Sequence, residues 1–147
     1  MKIEEQYNRI FRFCCMKVRN LHAAEDLTQE TFLRFLKNGT YRESGKQMNY
    51  LYTIAGNLCN DYYREHAQPP EELPDEIPQL PDNELQSFEL REAMNTLPQE
   101  EQELLLLRYV NQEKVSDIAK ILNQSRFAVY RKTQSALEHL KEAYNGQ

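Results

Sequence analysis

The chain has 147 residues, of which 40% are hydrophobic and 28% charged, with a formal net charge of −5. This length suits one domain of typical size or two small ones. A membrane-spanning helix needs 18 or more consecutive apolar residues, which the sequence lacks, and its charged N-terminus does not resemble a signal peptide. Only 4 glycines and long stretches of helical periodicity predict an all-α fold.

The cysteines indicate a reducing compartment. Cys14, Cys15 and Cys59 are odd in number and two are adjacent, which favours free buried thiols in the cytoplasm over a disulfide framework. The three histidines show no metal-ligand spacing with these cysteines. The sequence contains no Ser-His-Asp grouping, glycine-rich phosphate loop or carboxylate pair beside a pocket signature. We therefore expect no metal, no cofactor and no enzymatic activity.

Apolar periodicity predicts two helices in the first forty residues, over 3–19 and about 23–38. The second is expected to end at Gly39, since glycine commonly follows a helix C-terminus. Glu25 and Asp26 are expected in its first turn, where the helix dipole favours negative charge. Two apolar rows give this helix a broad apolar face: Leu27, Thr31 and Phe35, and Leu27, Phe32 and Leu36.

A third helix is predicted over residues 48–65, with Gly56-Asn57 as a weak point or break inside it. Its tyrosines are Tyr50, Tyr52, Tyr62 and Tyr63. Such tyrosines commonly fill a small helical core while their hydroxyls reach water. They can also stack on unpaired bases, and the helix carries Asn57, Asn60 and Arg64 among them. Composition alone favours the core interpretation.

The negative charge is confined to one short segment. Residues 67–89 carry 7 acidic residues and no basic one, whereas residues 1–66 have a balance of +2 and residues 90–147 a balance of zero. Five of the 6 prolines lie within residues 68–81, which predicts an extended linker and a domain boundary. The flanking domains are only weakly basic for DNA binding, so a partner is expected to supply much of the affinity.

The last third of the chain has a helix-turn-helix pattern. Helices are predicted over 83–95 and 99–110, with Pro98 in a first turn, and two more within 114–141. The first of this last pair carries an apolar stripe, namely Val115, Ile118, Ala119 and Leu122. Asn123 tolerates the left-handed conformation that ends a helix, and Ser125 is a favoured N-cap for the next one.

In the final helix the expected inward stripe is Val129, Thr133, Ala136 and Leu140, while Phe127, Arg131, Gln134 and Glu138 point the opposite way. Tyr130, Lys132 and Ser135 are expected on its flanks. An outer face with Arg and Gln favours DNA binding. The alternative is an ordinary helical hairpin with a solvated outer face, which is common in all-α domains.

Four segments together resemble the bacterial RNA polymerase sigma factors of the small extracytoplasmic-function (ECF) type. In chain order they are AAEDLTQETFLRFL (23–36), NYLYTIAGNLCNDYYRE (49–65), LREAMNTLPQEEQELLLLRYV (90–110) and residues 114–141. The resemblance implies an N-terminal domain over 1–66 for polymerase docking and minus-ten recognition, a linker over 67–89, and a C-terminal domain over 90–147 that reads the minus-thirty-five element. The partners that it implies are core RNA polymerase, through its clamp helices and flap, and promoter DNA. An anti-sigma protein is also usual in the family, although no residue here identifies one.

The resemblance also implies site residues. The polymerase-binding residues are Asp26, Gln29, Glu30 and Arg34. The minus-ten residues, which meet single-stranded DNA, are Tyr50, Asn57, Asn60, Asp61 and Arg64; Asn57 and Asp61 match a pocket for a flipped base. The minus-thirty-five residues, which enter the major groove, are Ser125, Arg126, Phe127, Tyr130, Arg131, Lys132 and Gln134.

Some positions depart from the family pattern. The turn is Asn123-Gln124-Ser125 where a Gly-initiated turn is usual, and Ser135 and Leu137 replace late arginines. We therefore expect weak DNA binding by the isolated C-terminal part. The acidic linker suits either a basic channel inside the polymerase or a solvated spacer. Alternatives to the family interpretation are a dimeric helix-turn-helix regulator that binds duplex DNA alone, and an adaptor without a DNA role.

Overall fold

The structure, a computed structural model, describes residues 2–38, 47–66 and 88–146, and the chain divides into two compact units, Met1–Pro74 and Asp75–Gln147. The described residues form seven α-helices and one π-helical turn without any strand, which confirms the all-α prediction. Within these ranges, no helix is long and apolar enough to cross a membrane. The predicted linker over 67–89 lies outside the described residues, except for its last two positions, which already belong to a helix.

The first unit is a bundle of three mutually packed helices, α1 (Ile3–Val18), α2 (Leu21–Asn38) and α3 (Gln47–Glu65). Arg19 ends α1 in the left-handed conformation, with φ 55°. The Asn20 side-chain oxygen then accepts a hydrogen bond of 2.9 Å from the backbone N–H of Ala23. This cap starts α2 two residues earlier than predicted, so the expectation that Glu25 and Asp26 lie in its first turn is wrong.

The core of this unit lies where α1, α2 and α3 meet. The ring of Phe13 meets that of Tyr52 edge to face, with centroids 5.2 Å apart. All three cysteines are free and buried, as predicted. Burial raises the pKa of Cys15 to about 12, because a thiolate is costly in an apolar environment, so this thiol stays protonated.

α2 faces that core with a narrower stripe than the two predicted apolar rows. Thr28 and Thr31 are fully buried, and their hydroxyls donate hydrogen bonds of 2.6 Å and 2.7 Å to backbone carbonyls one turn earlier. Threonine satisfied in this way can occupy core positions. Phe35 extends the stripe, but Leu36, one residue and about 100° further round the helix, is 66% exposed. Part of the apolar face of α2 is therefore exposed to solvent.

α3 continues through Gly56, so Gly56-Asn57 does not break the helix, and the alternative that this pair is a weak point stays a prediction. A single glycine weakens a helix by about 1 kcal/mol without breaking it when the helix is packed on a core. Leu51, Ala55 and Leu58 supply that packing on the inward face.

The second unit contains α4 (Phe88–Asn95), α5 (Gln99–Leu105), a π-helical turn (Leu106–Val110), α6 (Val115–Leu122) and α7 (Arg126–Asn145). α7 packs against α4, α5 and α6. The core is formed by buried side chains from all of these elements, including Ala93, Met94, Leu104, Leu107, Ile118, Val129 and Ala136.

Two expectations for this unit need correction. The predicted helix over 99–110 is α-helical only to Leu105, after which the turn widens and the N–H of Asn111 donates to the carbonyl of Leu106 over 2.8 Å. Apolar periodicity does not distinguish a widened turn from an α-helical one, because the leucines here are buried on all sides. Pro98 precedes α5 as its N-cap residue instead of lying in its first turn.

Candidate nucleic-acid interfaces

The turn between α6 and α7 has the predicted geometry. Asn123 ends α6 in the left-handed conformation, with φ 56° and ψ 50°, and the N–H of Gln124 donates to the carbonyl of Ala119 over 2.9 Å. The hydroxyl oxygen of Ser125 accepts a hydrogen bond of 3.0 Å from the N–H of Ala128, as an N-cap does. This local chemistry fixes where α7 begins.

α7 has one buried and one exposed face, in the predicted arrangement. Val129, Thr133 and Ala136 are buried, whereas Phe127 is 75% exposed and Tyr130 58% exposed. The remaining residues of the outer face are also exposed, namely Ser125, Arg126, Arg131, Gln134, Ser135 and Glu138. Two guanidinium groups, a carboxamide and two aromatic rings therefore share the N-terminal half of this face.

Lys132 differs from its neighbours because it lies on the flank of α7 that faces α5. It is only half exposed, and its ammonium nitrogen is 3.7 Å from the carboxylate of Glu100. Two turns later, His139 Nδ1 lies 2.9 Å from the carboxylate of Glu101. The hydrogen bond to Glu101 raises the pKa of His139 above its usual 6.5. These two contacts join α7 to the first turn of α5.

One outward stripe of α3 carries most of the predicted minus-ten residues. Tyr50, Asn57, Asp61 and Arg64 recur at helical spacing, and Asn57, Asp61 and Arg64 are exposed. Asp61 accepts a hydrogen bond from the Arg64 guanidinium, which pairs the two charges one turn apart. Asn60 is also exposed, beside this stripe.

The four tyrosines of α3 do not form one platform. Tyr52 belongs to the core, and the Tyr63 hydroxyl donates to the backbone carbonyl of Lys17. Tyr62 is half-buried and its ring is stacked on His66, with centroids 4.2 Å apart and planes 17° apart. Tyr50 is half-buried, 5.8 Å from the ring of Phe35 on α2. The core interpretation thus holds for Tyr52. Tyr62 and Tyr63 meet edge to face, with ring centroids 6.3 Å apart, whereas Tyr50 lies apart from them beside α2.

An open groove of about 400 Å³ runs between α2 and α3. It is lined by Arg34 and Lys37 from α2 and by Tyr50, Ile54 and Asn57 from α3. An aromatic ring, an aliphatic side chain and a carboxamide beside two cations suit a ligand with a flat body and an anionic group. The structure thus unites Arg34, predicted to bind polymerase, with two predicted minus-ten residues. Lys37 and Ile54 are not among the residues predicted from the sequence. The helical spacing from Tyr50 through Ile54 to Asn57 does place Ile54 in the same row as these two predicted residues.

The outer face of α2 combines polar and apolar residues. Asp26 and Gln29 are exposed, and the same helical row continues with Leu33, which is 52% exposed, and Leu36. Glu30 is half-buried and pairs with Arg34, with 2.9 Å between nitrogen and oxygen. Two exposed leucines beside a carboxylate and an amide are typical of a protein-binding surface rather than a DNA-binding one.

Two protein-family models match the chain, one in each unit. The model of Sigma-70 region 2 matches residues 3–68, and the model of Sigma-70 region 4 matches residues 87–140. The first contains α1 to α3 with the groove, and the second contains α4 to α6 and most of α7.

Whole proteins give the same relationship. The ECF RNA polymerase sigma factor SigM of Bacillus subtilis is 31% identical, over 99% of this chain and 96% of SigM. BldN, an ECF RNA polymerase sigma factor of Streptomyces coelicolor, is 29% identical over 87% of this chain, which spans about half of BldN (53%). The fold is similar to that of the sigma factor RpoE of Bartonella quintana, solved in complex with the anti-sigma factor NepR. The TM-score between the two structures is 0.77. The sequences are 19% identical, and the match covers 95% of this chain and 92% of RpoE.

Proposed function

The chain belongs to the ECF type of RNA polymerase sigma factors, and we propose that it binds core RNA polymerase, directs it to specific promoters and aids promoter melting. The observation that carries this proposal is the presence of both sigma regions, in order, along one chain with a full-length relative. The factor would act in the cytoplasm and catalyse no reaction of its own, since its task is to position the polymerase and the DNA.

The division of labour follows the three predicted segments. Residues 1–66 would bind the polymerase and the minus-ten element, residues 67–89 would connect the domains, and residues 90–147 would read the minus-thirty-five element. The excess of acidic residues in the connecting segment leaves the flanking domains neutral to weakly basic. Binding to the polymerase would therefore supply most of the promoter affinity.

The polymerase-binding surface is the outer face of α2, with Asp26, Gln29 and Glu30. Leu33 and Leu36 extend it, since exposed leucines in one row with polar residues add apolar area to a contact with the clamp helices. Arg34 lies at the border of this surface, because it pairs with Glu30 and also lines the groove.

The minus-ten surface is the outward stripe of α3 with the groove at its N-terminal end. Asn57 would bond the edge of a flipped base, Tyr50 would pack on it, and Asn60, Asp61 and Arg64 would contact the strand beyond. Extruding a base costs a few kcal/mol, and contacts in a groove of this kind would offset that cost.

The minus-thirty-five surface is the exposed face of α7, which would enter the major groove. Arg126, Arg131 and Gln134 offer hydrogen-bond donors to bases and phosphates, and Ser125 lies at the end of the helix that approaches the DNA. Lys132 would contribute less than the sequence suggests because it pairs with Glu100.

An anti-sigma protein is a further proposed partner. The structural relative RpoE is bound to NepR. RpoE and this chain share their fold over almost their whole length. Such a partner would hold the factor inactive by covering surfaces that the polymerase needs.

The test is co-elution of the purified protein with sigma-free bacterial core RNA polymerase on a sizing column. We expect stoichiometric co-elution, lost when Asp26→Arg and Glu30→Arg are combined, since both changes reverse charge on the outer face of α2. The matched control combines Glu4→Arg and Glu5→Arg on α1. Glu5 also pairs with an arginine one turn later, at 3.1 Å, so the control breaks an equivalent ion pair away from the proposed surface.

Absence of co-elution, together with a duplex shifted by the protein alone, would replace this proposal with the stand-alone regulator. Absence of both would favour an adaptor without a DNA role. Equal loss of co-elution in the control variant would mean that charge reversal acts on the fold instead of on a docking surface.

A further inference from the structure

Phe127 is the second residue of α7, and 75% of its surface is exposed. The other exposed large hydrophobic side chains that the structure describes in the second unit are Tyr109, Tyr130 and Tyr144, at 44%, 58% and 46%. Each of these carries a hydroxyl that water can satisfy, whereas Phe127 presents an entirely apolar ring to solvent. The stripe of α7 that packs into the core, Val129, Thr133 and Ala136, lies on the opposite side of the helix, so packing does not explain this residue.

The position of Phe127 places it at the front of the proposed DNA surface. It shares a helical row with Arg131 and Gln134, one and two turns later, and Arg126 precedes it. In helix-turn-helix proteins the N-terminal residues of the recognition helix come closest to the base edges. Arg126 and Arg131 supply hydrogen-bond donors for bases and phosphates on either side of Phe127, so in a major groove the ring would meet base edges.

The chemistry of the ring limits what it can recognise there. A phenyl group has no hydrogen-bond donor or acceptor of the ordinary kind. The major-groove edges of the four bases present donors, acceptors and one apolar group, the 5-methyl of thymine. We propose that Phe127 contacts the 5-methyl group of a thymine in the upstream promoter element and so determines specificity for thymine at that position. This inference depends on the proposed function, because it needs α7 in a major groove.

The experiment uses the holoenzyme of the full chain with core RNA polymerase. Duplexes retained by the wild-type holoenzyme from a random-sequence pool supply the probe. Each thymine of its upstream element is then replaced, one at a time, by deoxyuridine, which removes the 5-methyl alone. We expect one replacement to weaken wild-type binding about fourfold, since burying one methyl-sized group contributes about 0.8 kcal/mol.

Three variants identify the residue responsible. With Phe127→Ala the probe and its uridine version should bind equally, each more weakly than the wild type binds the thymine probe. Phe127→Leu keeps an apolar side chain and should retain part of the thymine preference. The matched control is Tyr144→Ala, which removes an exposed aromatic ring near the other end of α7 and should leave the fourfold effect unchanged.

The failures are distinguishable. Recovery of no duplex by the holoenzyme would contradict the proposed function, and the thymine contact with it. Recovery of duplexes without any uridine effect in the wild type would overturn the thymine contact alone. The thymine contact would also be overturned if Phe127→Ala kept the full uridine effect, if it bound the probe as well as the wild type, or if it weakened every duplex by one common factor.

Discussion

At the scale of single residues, the DNA-facing helix depends on side chains that act on their own backbone. Asn123 adopts a left-handed φ of 56°, which is unfavourable for most residues, and Ser125 caps the first turn of α7 with its hydroxyl. Together they fix the residue at which α7 starts. Every outward position, including Phe127 and Arg131, follows from that start.

The pKa of His139 is raised by a contact at the surface with the carboxylate of Glu101. Its carboxylate partner Glu101 stabilises the imidazolium, so we expect a pKa above 6.5 in the folded protein. Because the folded pKa is raised, the stabilising contribution of this contact is complete below pH 6.5 and is lost as pH rises through the folded pKa. NMR titration of the His139 ring measures this directly.

Glu101→Gln should move the His139 pKa back towards 6.5, because it removes the largest cause of the shift. The matched control is Glu138→Gln, which removes a more weakly acting carboxylate on α7 itself and should change the pKa less. A pKa of His139 at or below 6.5 in the folded wild-type protein, unchanged by Glu101→Gln, would contradict the contact.

At the scale of elements, α3 and α7 each combine a core face with a functional face. In α3 the inward side carries Leu51, Tyr52 and Ala55, and the outward stripe carries the minus-ten candidates. Such a helix must stay continuous, since a break would rotate the later residues of the stripe away from the earlier ones. Gly56 is therefore the residue with the lowest intrinsic helix propensity in a helix that has to be continuous.

Gly56→Ala should stabilise the first unit by about 0.4–1 kcal/mol, because alanine reduces the entropy of the unfolded chain and favours the helix. The added Cβ would meet no atom within 4 Å apart from the local helix backbone, so no steric cost opposes this gain. Urea unfolding followed by circular dichroism measures the difference.

The matched control for this substitution is Gly146→Ala, just beyond the end of α7. There the new Cβ would lie 3.2 Å from the carbonyl oxygen of Glu142, which is tighter than ordinary contact, so no comparable gain is expected. Destabilisation by Gly56→Ala would show that α3 bends at Gly56 in solution.

At the scale of the whole molecule, charge decides how the protein finds DNA. A chain of net charge −5 has little long-range attraction for a polyanion, and α7 has Ser135 and Leu137 where arginines are usual in the family. In the proposed arrangement Arg126 and Arg131 would contact bases and phosphates, but few other cations on α7 would bind the DNA backbone. Promoter affinity should therefore belong to the holoenzyme and not to the factor alone.

Ser135→Arg tests this balance, because Ser135 is exposed on the face of α7 that is proposed to meet the DNA. One added phosphate contact should tighten duplex binding by the holoenzyme and steepen the slope of log K against log salt by about 0.9. Asn145→Arg, which adds the same charge at the exposed end of α7, is the matched control and should leave the slope nearly unchanged. Equal slopes for both variants would place Ser135 away from the DNA backbone.

The presence of the described helices, the turn before α7 and the two faces of α7 follow from the sequence by itself, whereas the bounds of several helices do not. These features depend on helical periodicity and on capping chemistry. Both involve residues only a few positions apart, so they can be read from the local sequence. The order of the family segments is likewise a property of the sequence. The start of α2 and the continuity of α3 do not follow from local patterns, because capping by Asn20 and packing of Leu51 and Ala55 outweigh weak local signals.

Only the tertiary structure decided which side chains share a site. It placed Tyr52 in the core but Tyr50 in a groove with Arg34 and Lys37, although all four lie on helices of similar pattern. It also paired Lys132 with Glu100 across two helices, a contact that the pattern of α7 alone does not reveal. The physical reason is that burial and partnership depend on what the neighbouring helix presents, and helices distant in sequence meet only after packing.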